Sequence, residues 1–120
     1  MQWKIDGSQP VYMQIISHIR SGVLSGEFPP GSRIPSVREL AAEAKVNPNT
    51  MQRAMMELER QGILISNGTI GRFVTEDQNT IEQIRNETIS ETVNTCAAMF
   101  WALGISMQDA AQLLAKKEEE

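Results

Sequence analysis

The segment Asn47-Pro48-Asn49-Thr50-Met51-Gln52-Arg53 gathers the side chains of this chain best suited to reading another molecule. The amides of Asn and Gln carry a donor and an acceptor side by side and match an adenine edge bidentately, and the forked guanidinium of Arg matches guanine in the same way. Met51, Ala54, Met55 and Leu58 recur at helical spacing as an apolar stripe, which leaves Asn49, Thr50, Gln52, Arg53 and Met56 facing outward. Polar amides and an arginine near the start of a helix are what base reading in a major groove requires. A merely solvated helix face has the same composition, so the flanking elements must decide.

Those elements run from Pro35 to Val74. Ser36 is placed to cap a helix, and Glu39 three residues on completes a capping box; Val37, Leu40, Ala41 and Ala44 then follow at helical spacing. Asn47-Pro48 is a second start signal, a capping side chain followed by proline at the first helical position, where its missing N–H costs nothing. Lys45 and Val46 are left as a very short turn. Gly62 stands where a left-handed residue would end the second helix. Beyond it Ile63, Leu64 and Ile65 rise to the turn signal Asn67-Gly68, and Phe73-Val74 return after Gly71, which predicts a hairpin. Two short helices and a hairpin are the layout of a winged helix-turn-helix. In that layout the hairpin tip lies near phosphates of the adjacent minor groove, Gly68 and Gly71 let the backbone approach, and Arg72 adds a charge.

The preceding residues supply a supporting helix after Pro10, with Val11, Ile15, Ile16, Ile19 and Val23 as its stripe and Gly26 near its end. Phe28-Pro29-Pro30-Gly31 forces an extended turn, and Trp3 and Ile5 are read as a short strand or arm. A second domain is placed from residue 78, the first covering 1–77. Asn79 and Glu82 form another capping-box pattern, opening a long helix from about Thr80 to Leu103 that Gly104 closes. Ser106 and Asp109 open a last helix to about Lys116, and the terminal Lys-Lys-Glu-Glu-Glu is a solvated end. Ile81, Ile84, Ile89, Val93, Ala97, Phe100 and Trp101 give the long helix a wide apolar side. Met107, Ala110, Ala111, Leu113 and Leu114 cover part of it. A second copy of the chain would cover the rest, with Ile84, Ile89, Val93, Ala97, Phe100, Trp101, Leu113 and Leu114 as the dimer interface; the competing solution folds the two helices back on the first domain. The expected fold class is therefore mainly α with a small β-hairpin wing, a winged helix-turn-helix followed by a short two-helix dimerisation domain.

Charge and composition narrow the function further. The net charge of −4 argues at first against nucleic acid, but residues 1–75 hold eight basic against six acidic side chains and residues 76–120 hold three against nine. Arg33, Arg38, Lys45, Arg53 and Arg72 all fall between the helix-turn-helix entry and the wing, and affinity for DNA depends on where cations meet phosphates rather than on the total. One cysteine, Cys96, excludes an intrachain disulfide framework and is read as a small buried hydrophobe. The single histidine, His18, lies among isoleucines with no acidic or thiol partners at ligand spacing, and is read as structural. No cofactor or metal is called for, no nucleophile stands beside a base, and no phosphate-cradling glycine pattern occurs, so an enzyme is not expected. The absence of a leader-like start or a long apolar run predicts a cytoplasmic protein with no membrane partner. Two helices enclose little volume, so an effector pocket of several hundred Å³ within one subunit is not expected.

Tyr12-Met13-Gln14-Ile15, Ile19-Arg20, Ser25-Gly26, Pro30-Gly31, Ile34-Pro35-Ser36-Val37-Arg38-Glu39-Leu40-Ala41, Asn49-Thr50, Ala54, Leu58-Glu59, Gly62 and Gly71-Arg72-Phe73-Val74 together resemble the N-terminal domain of GntR-family bacterial transcription regulators. Val46-Asn47-Pro48-Asn49-Thr50, followed by a short helical tail, is similar more particularly to the YtrA-like subfamily. The resemblance implies a homodimeric, sequence-specific DNA-binding repressor acting on an inverted-repeat operator, with a transporter operon as its target, and it implies that Arg38 and the start of the second reading helix touch DNA. The candidate DNA-contacting set is Arg33, Ser36, Arg38, Asn47, Asn49, Thr50, Gln52, Arg53, Gly68, Thr69, Gly71 and Arg72. Pro48 and Gln52 stand where many relatives carry basic residues, so no operator sequence is carried over. The alternative function is a winged-helix adaptor that binds another protein. An adaptor would tolerate an apolar outward face on the helix after Asn47, where this chain has Asn, Thr, Gln and Arg.

Overall fold

A computed structural model of the chain describes residues 2–119 and divides into two compact units, 1–84 and 85–120. The first unit opens with an irregular arm in which Trp3 and Ile5 pack on the core without forming a strand. Helix α1, Val11–Ser25, follows, buries Ile15, Ile16, Ile19 and Val23, and ends at Gly26 in a left-handed conformation with φ 88°. Its Gly22 leaves room for the Phe28 ring, which a Cβ at that position would meet at 2.4 Å. Trp3 stacks on His18 with ring centroids 4.1 Å apart, so the histidine holds the arm against α1.

Strand β1, Arg33–Ile34, leads into helix α2, Val37–Ala44, and helix α3, Pro48–Arg60. The hairpin is strand β2, Leu64–Asn67, and strand β3, Gly71–Val74. Two differences from the sequence expectation stand out in this half. The hairpin is one side of a three-stranded antiparallel sheet in the order β1-β3-β2, because Arg33 pairs with Phe73 and Ile34 with Arg72. Its loop holds three residues, 68–70, since Asn67 itself pairs with Gly71. The turn between α2 and α3 falls at Lys45 and Val46 as expected and closes through Lys45, the one non-glycine residue with positive φ (58°) among the described residues; its N–H bonds the Ala41 carbonyl. Leu40, Met51, Ala54, Met55, Leu58, Ile63, Leu64 and Val74 join the α1 isoleucines in one core.

Helix α4, Gln78–Ala102, starts two residues earlier than expected. Asp77 rather than Asn79 caps it: the Asp77 carboxylate accepts from the Asn79 N–H at 3.0 Å and from the Thr80 hydroxyl at 2.9 Å. Ile81 and Ile84 on its first two turns are 7% and 5% exposed, and Ile84 belongs to the winged core. That corrects the assignment of Ile84 to a dimer interface. Five residues separate it from Ile89, a rotation of roughly 140° about a helix axis, so the two cannot share a face.

The second unit holds the rest of α4 and helix α5, Met107–Glu118, which Ser106 caps as expected by accepting from the Asp109 N–H at 3.1 Å. Gly104, with φ 75°, makes the turn between them. Ala110 is its buried residue, while Ile89, Val93, Met99, Trp101, Leu103, Met107, Leu113 and Leu114 remain exposed. Ala97 and Phe100 are half-buried.

Candidate nucleic-acid interface

The outward face of α3 is fixed by its cap and its stripe. Asn47 accepts from the Asn49 N–H at 2.8 Å through its side-chain oxygen, which sets the start of the helix, and Met51, Ala54, Met55 and Leu58 are all within 1% of full burial. With that side anchored, Asn49, Gln52, Arg53 and Met56 are exposed and Thr50 half-buried. The charged and amide-bearing groups on and beside this face do not act alike. Arg53 lies over the ring of Tyr12 from α1, its guanidinium carbon 4.2 Å from the ring centroid. Glu57, one turn further on, is held by Arg60 through two hydrogen bonds and by the Gln61 amide at 3.1 Å. These bonds from Arg60 and Gln61 pull the Glu57 carboxyl down to about 2, and Glu57 in turn raises the Arg60 guanidinium.

The entry to α2 places Arg38 and Ser36 on the surface. The Ser36 hydroxyl accepts from the Glu39 N–H and lies 3.2 Å from the Glu39 carboxylate, which it can reach as donor. The capping pair is therefore present, with the carboxylate on the hydroxyl rather than on the Ser36 backbone. Ser36 and Asn47 thus spend their side-chain oxygens on helix starts, and Ser36 spends its hydroxyl proton as well. Arg38 stands exposed beside them.

On the wing, period-two alternation sorts the two arginines. Arg72 shares a face with Leu64, Val74 and Ile34, the face that packs inward, and there its Nε donates to the Glu59 carboxylate of α3. The pair is partly buried, with side chains 21% and 29% exposed. Arg33 lies on the opposite face with Phe73 and Ile65 and is exposed. Gly71 makes room for it: a Cβ there would stand 3.1 Å from the Arg33 Nε, and φ is 134°. Gly68, Thr69 and Ile70 form the exposed tip, Ile70 being 58% exposed. The sequence pattern gave Tyr12 and Glu59 no role beyond the family resemblance and passed over Ile70. Spacing within one element carries no signal of a contact between two elements, and Ile70 is a lone apolar residue in a loop.

Among the described residues no group of histidine, cysteine and carboxylate side chains could hold a metal, and no helix is long and apolar enough to cross a membrane. Cys96 is half-buried in an open apolar groove of about 350 Å³ between α4 and α5, lined also by Val93, Ala97, Phe100, Met107 and Leu114.

The family model described as bacterial regulatory proteins, gntR family, matches residues 11–74. The chain belongs to the GntR family. It is 42% identical over 73 residues to the HTH-type transcriptional repressor YtrA of Bacillus subtilis, a match covering 61% of this chain and 56% of that one. A GntR family transcriptional regulator from Listeria monocytogenes has a similar structure with TM-score 0.84 at 34% identity, over 93% of this chain and 98% of that one. AraR(DBD) in complex with operator ORX1 is similar at TM-score 0.58 and 29% identity, over 62% and 96%. The winged helix-turn-helix expected from Ser36, Asn47 and the hairpin is thus the fold of this GntR-family member, and its relatives are transcription regulators rather than enzymes.

Proposed function

We propose that the chain is a cytoplasmic, sequence-specific DNA-binding repressor that acts as a homodimer on an inverted-repeat operator. The observation that carries this is the outward face of α3, where Asn49, Gln52 and Arg53 stand exposed on a helix whose opposite side is fully buried. Arg53, Asn49, Gln52 and Thr50 read base edges, while Arg38, Ser36, Asn47, Arg33 and the tip Gly68-Thr69 with Gly71 follow phosphates; Arg72, tied to Glu59 on the inner face of the wing, braces the wing instead of meeting DNA. The operator-bound structure of AraR(DBD), whose fold is similar, supports DNA binding through this fold. The exposed Ile89, Val93, Trp101, Leu113 and Leu114 of the second unit, together with half-buried Ala97 and Phe100, are the surface a second copy covers.

The test is a titration against an operator duplex selected from a random-sequence pool by the full-length protein, at one salt concentration. Arg53→Ala is expected to cost about 1–3 kcal/mol and to relax discrimination at one position of each half-site. Arg38→Ala should weaken all sequences alike and lower the salt slope by about 1. Unchanged binding by both variants removes the proposed surface.

A further inference from the structure

The geometry points to Tyr12 of α1 as a positioning residue that sets the base specificity of Arg53, an inference that rests on Arg53 reading a base. The Tyr12 side chain is half-buried and packs on the winged core, so the ring is fixed. The Arg53 guanidinium, exposed and on the outward half of α3, lies 4.2 Å from the ring centroid. Arg53 sits roughly 150° round the helix from the middle of the buried stripe, so the ring supports its flank without drawing it into the core. A free arginine samples many rotamers and meets a guanine edge in only a few of them; a stacked one keeps its planar fork in one orientation.

A second observation bears on the same side chain. Glu57 lies four residues beyond Arg53, the spacing at which a carboxylate captures a guanidinium on a helix surface. It does not do so here, because Arg60 and Gln61 hold it. Arg53 rests on an aromatic ring, which leaves its N–H donors available, instead of on a carboxylate, which would consume them. Tyr12 and the Arg60–Glu57–Gln61 cluster together keep the one arginine of the reading face in play.

The experiment uses the full-length protein, the duplex selected from a random pool and the same duplex changed at the position that Arg53→Ala relaxes. Tyr12→Leu keeps an apolar side chain on the core, with thermal melting as the check on folding. It is expected to lose about two- to five-fold in affinity for the selected duplex and a similar factor in discrimination at that one position. Tyr12→Phe keeps the ring and should retain both. In an Arg53→Ala background, Tyr12→Leu should add nothing. Arg60→Ala, which removes two of the three hydrogen bonds that hold Glu57, should weaken binding to the selected duplex, and Glu57→Gln in that background should restore it. The proposal is overturned if Tyr12→Leu acts equally with and without Arg53, or leaves discrimination unchanged while Arg53→Ala alters it. If Arg53→Ala itself changes nothing, base reading by Arg53 fails and this inference falls with it.

Discussion

Cutting the chain at the end of the wing, after Asp77, removes two buried isoleucines of the first unit, one of which, Ile84, belongs to the winged core. Ile81 and Ile84 are 7% and 5% exposed, and full burial of an isoleucine contributes about 1.5–3 kcal/mol, so their loss takes away about 3–6 kcal/mol. A unit of 84 residues has a total stability of about 4–13 kcal/mol. The cut should therefore cost a large share of it and lower the melting midpoint by roughly 12 °C or more. A chain ending at Thr88 keeps both isoleucines and one further turn, and should melt as a folded monomer. Thermal melts of the 1–77 and 1–88 chains, followed by circular dichroism, measure the difference directly. Midpoints within a few degrees of each other would show that the start of α4 is not part of the winged core. The 1–88 chain also isolates the role of the second unit. Linked modules gain about 10²- to 10⁴-fold from making their second contact intramolecular, so 1–88 should bind the selected operator weaker by that order. Binding as tight as that of the parent would remove the second unit as the dimer interface.

Val93→Asp places a carboxylate on the exposed apolar side of α4, where Val93 is 58% exposed, and should yield a monomer by sedimentation at concentrations where the parent is a dimer, with the melting of the winged unit unchanged. Glu59→Gln releases Arg72 and removes a negative charge beside the reading face; affinity for unrelated duplexes should rise at low salt and the salt slope should steepen by about 1, as a filter-binding salt series would record. Burial pushes the His18 imidazole below its usual value, so the folded state favours the neutral ring. The stability it contributes is complete above the unfolded value of 6.5 and is lost as pH falls through the lower folded value. Melting midpoints should therefore fall between pH 7 and 5, and His18→Phe, which keeps a ring against Trp3, should flatten that slope.

The helix starts were legible because their causes are local. Ser36, Asn47 and Ser106 each bond an N–H two or three residues away, and a reader of the sequence needs no other part of the molecule to find them. The buried stripes of α1, α2 and α3 were legible for the same reason. What escaped depends on distant partners. Two residues, Arg33 and Ile34, become a strand only because β3 lies beside them, forty residues away in the chain. Ile84 reads as part of one apolar side with Ile89, yet the helix turns between them and the winged core takes Ile84 first. The choice of Asp77 over Asn79 as the cap was not legible from spacing, since both positions offer a capping side chain.

The treatment of charge on α3 explains how an acidic protein can present a cationic reading face. The helix carries two carboxylates, Glu57 and Glu59, on either side of its outward face, and left alone each would lower the local potential where phosphates must approach. Each is instead held by an arginine: Glu57 by Arg60 within α3, and Glu59 by Arg72 reaching from the inner face of the wing. Arg53, between them, is held by a ring that carries no charge. Exposed ion pairs of this kind contribute little to stability. Their consequence here is positional: the carboxylates are turned to cations that are not needed for reading, the wing is tied to the helix it flanks, and the guanidinium that faces outward keeps its donors. Exchanging the sign at either edge should therefore alter DNA affinity far more than it alters the melting midpoint.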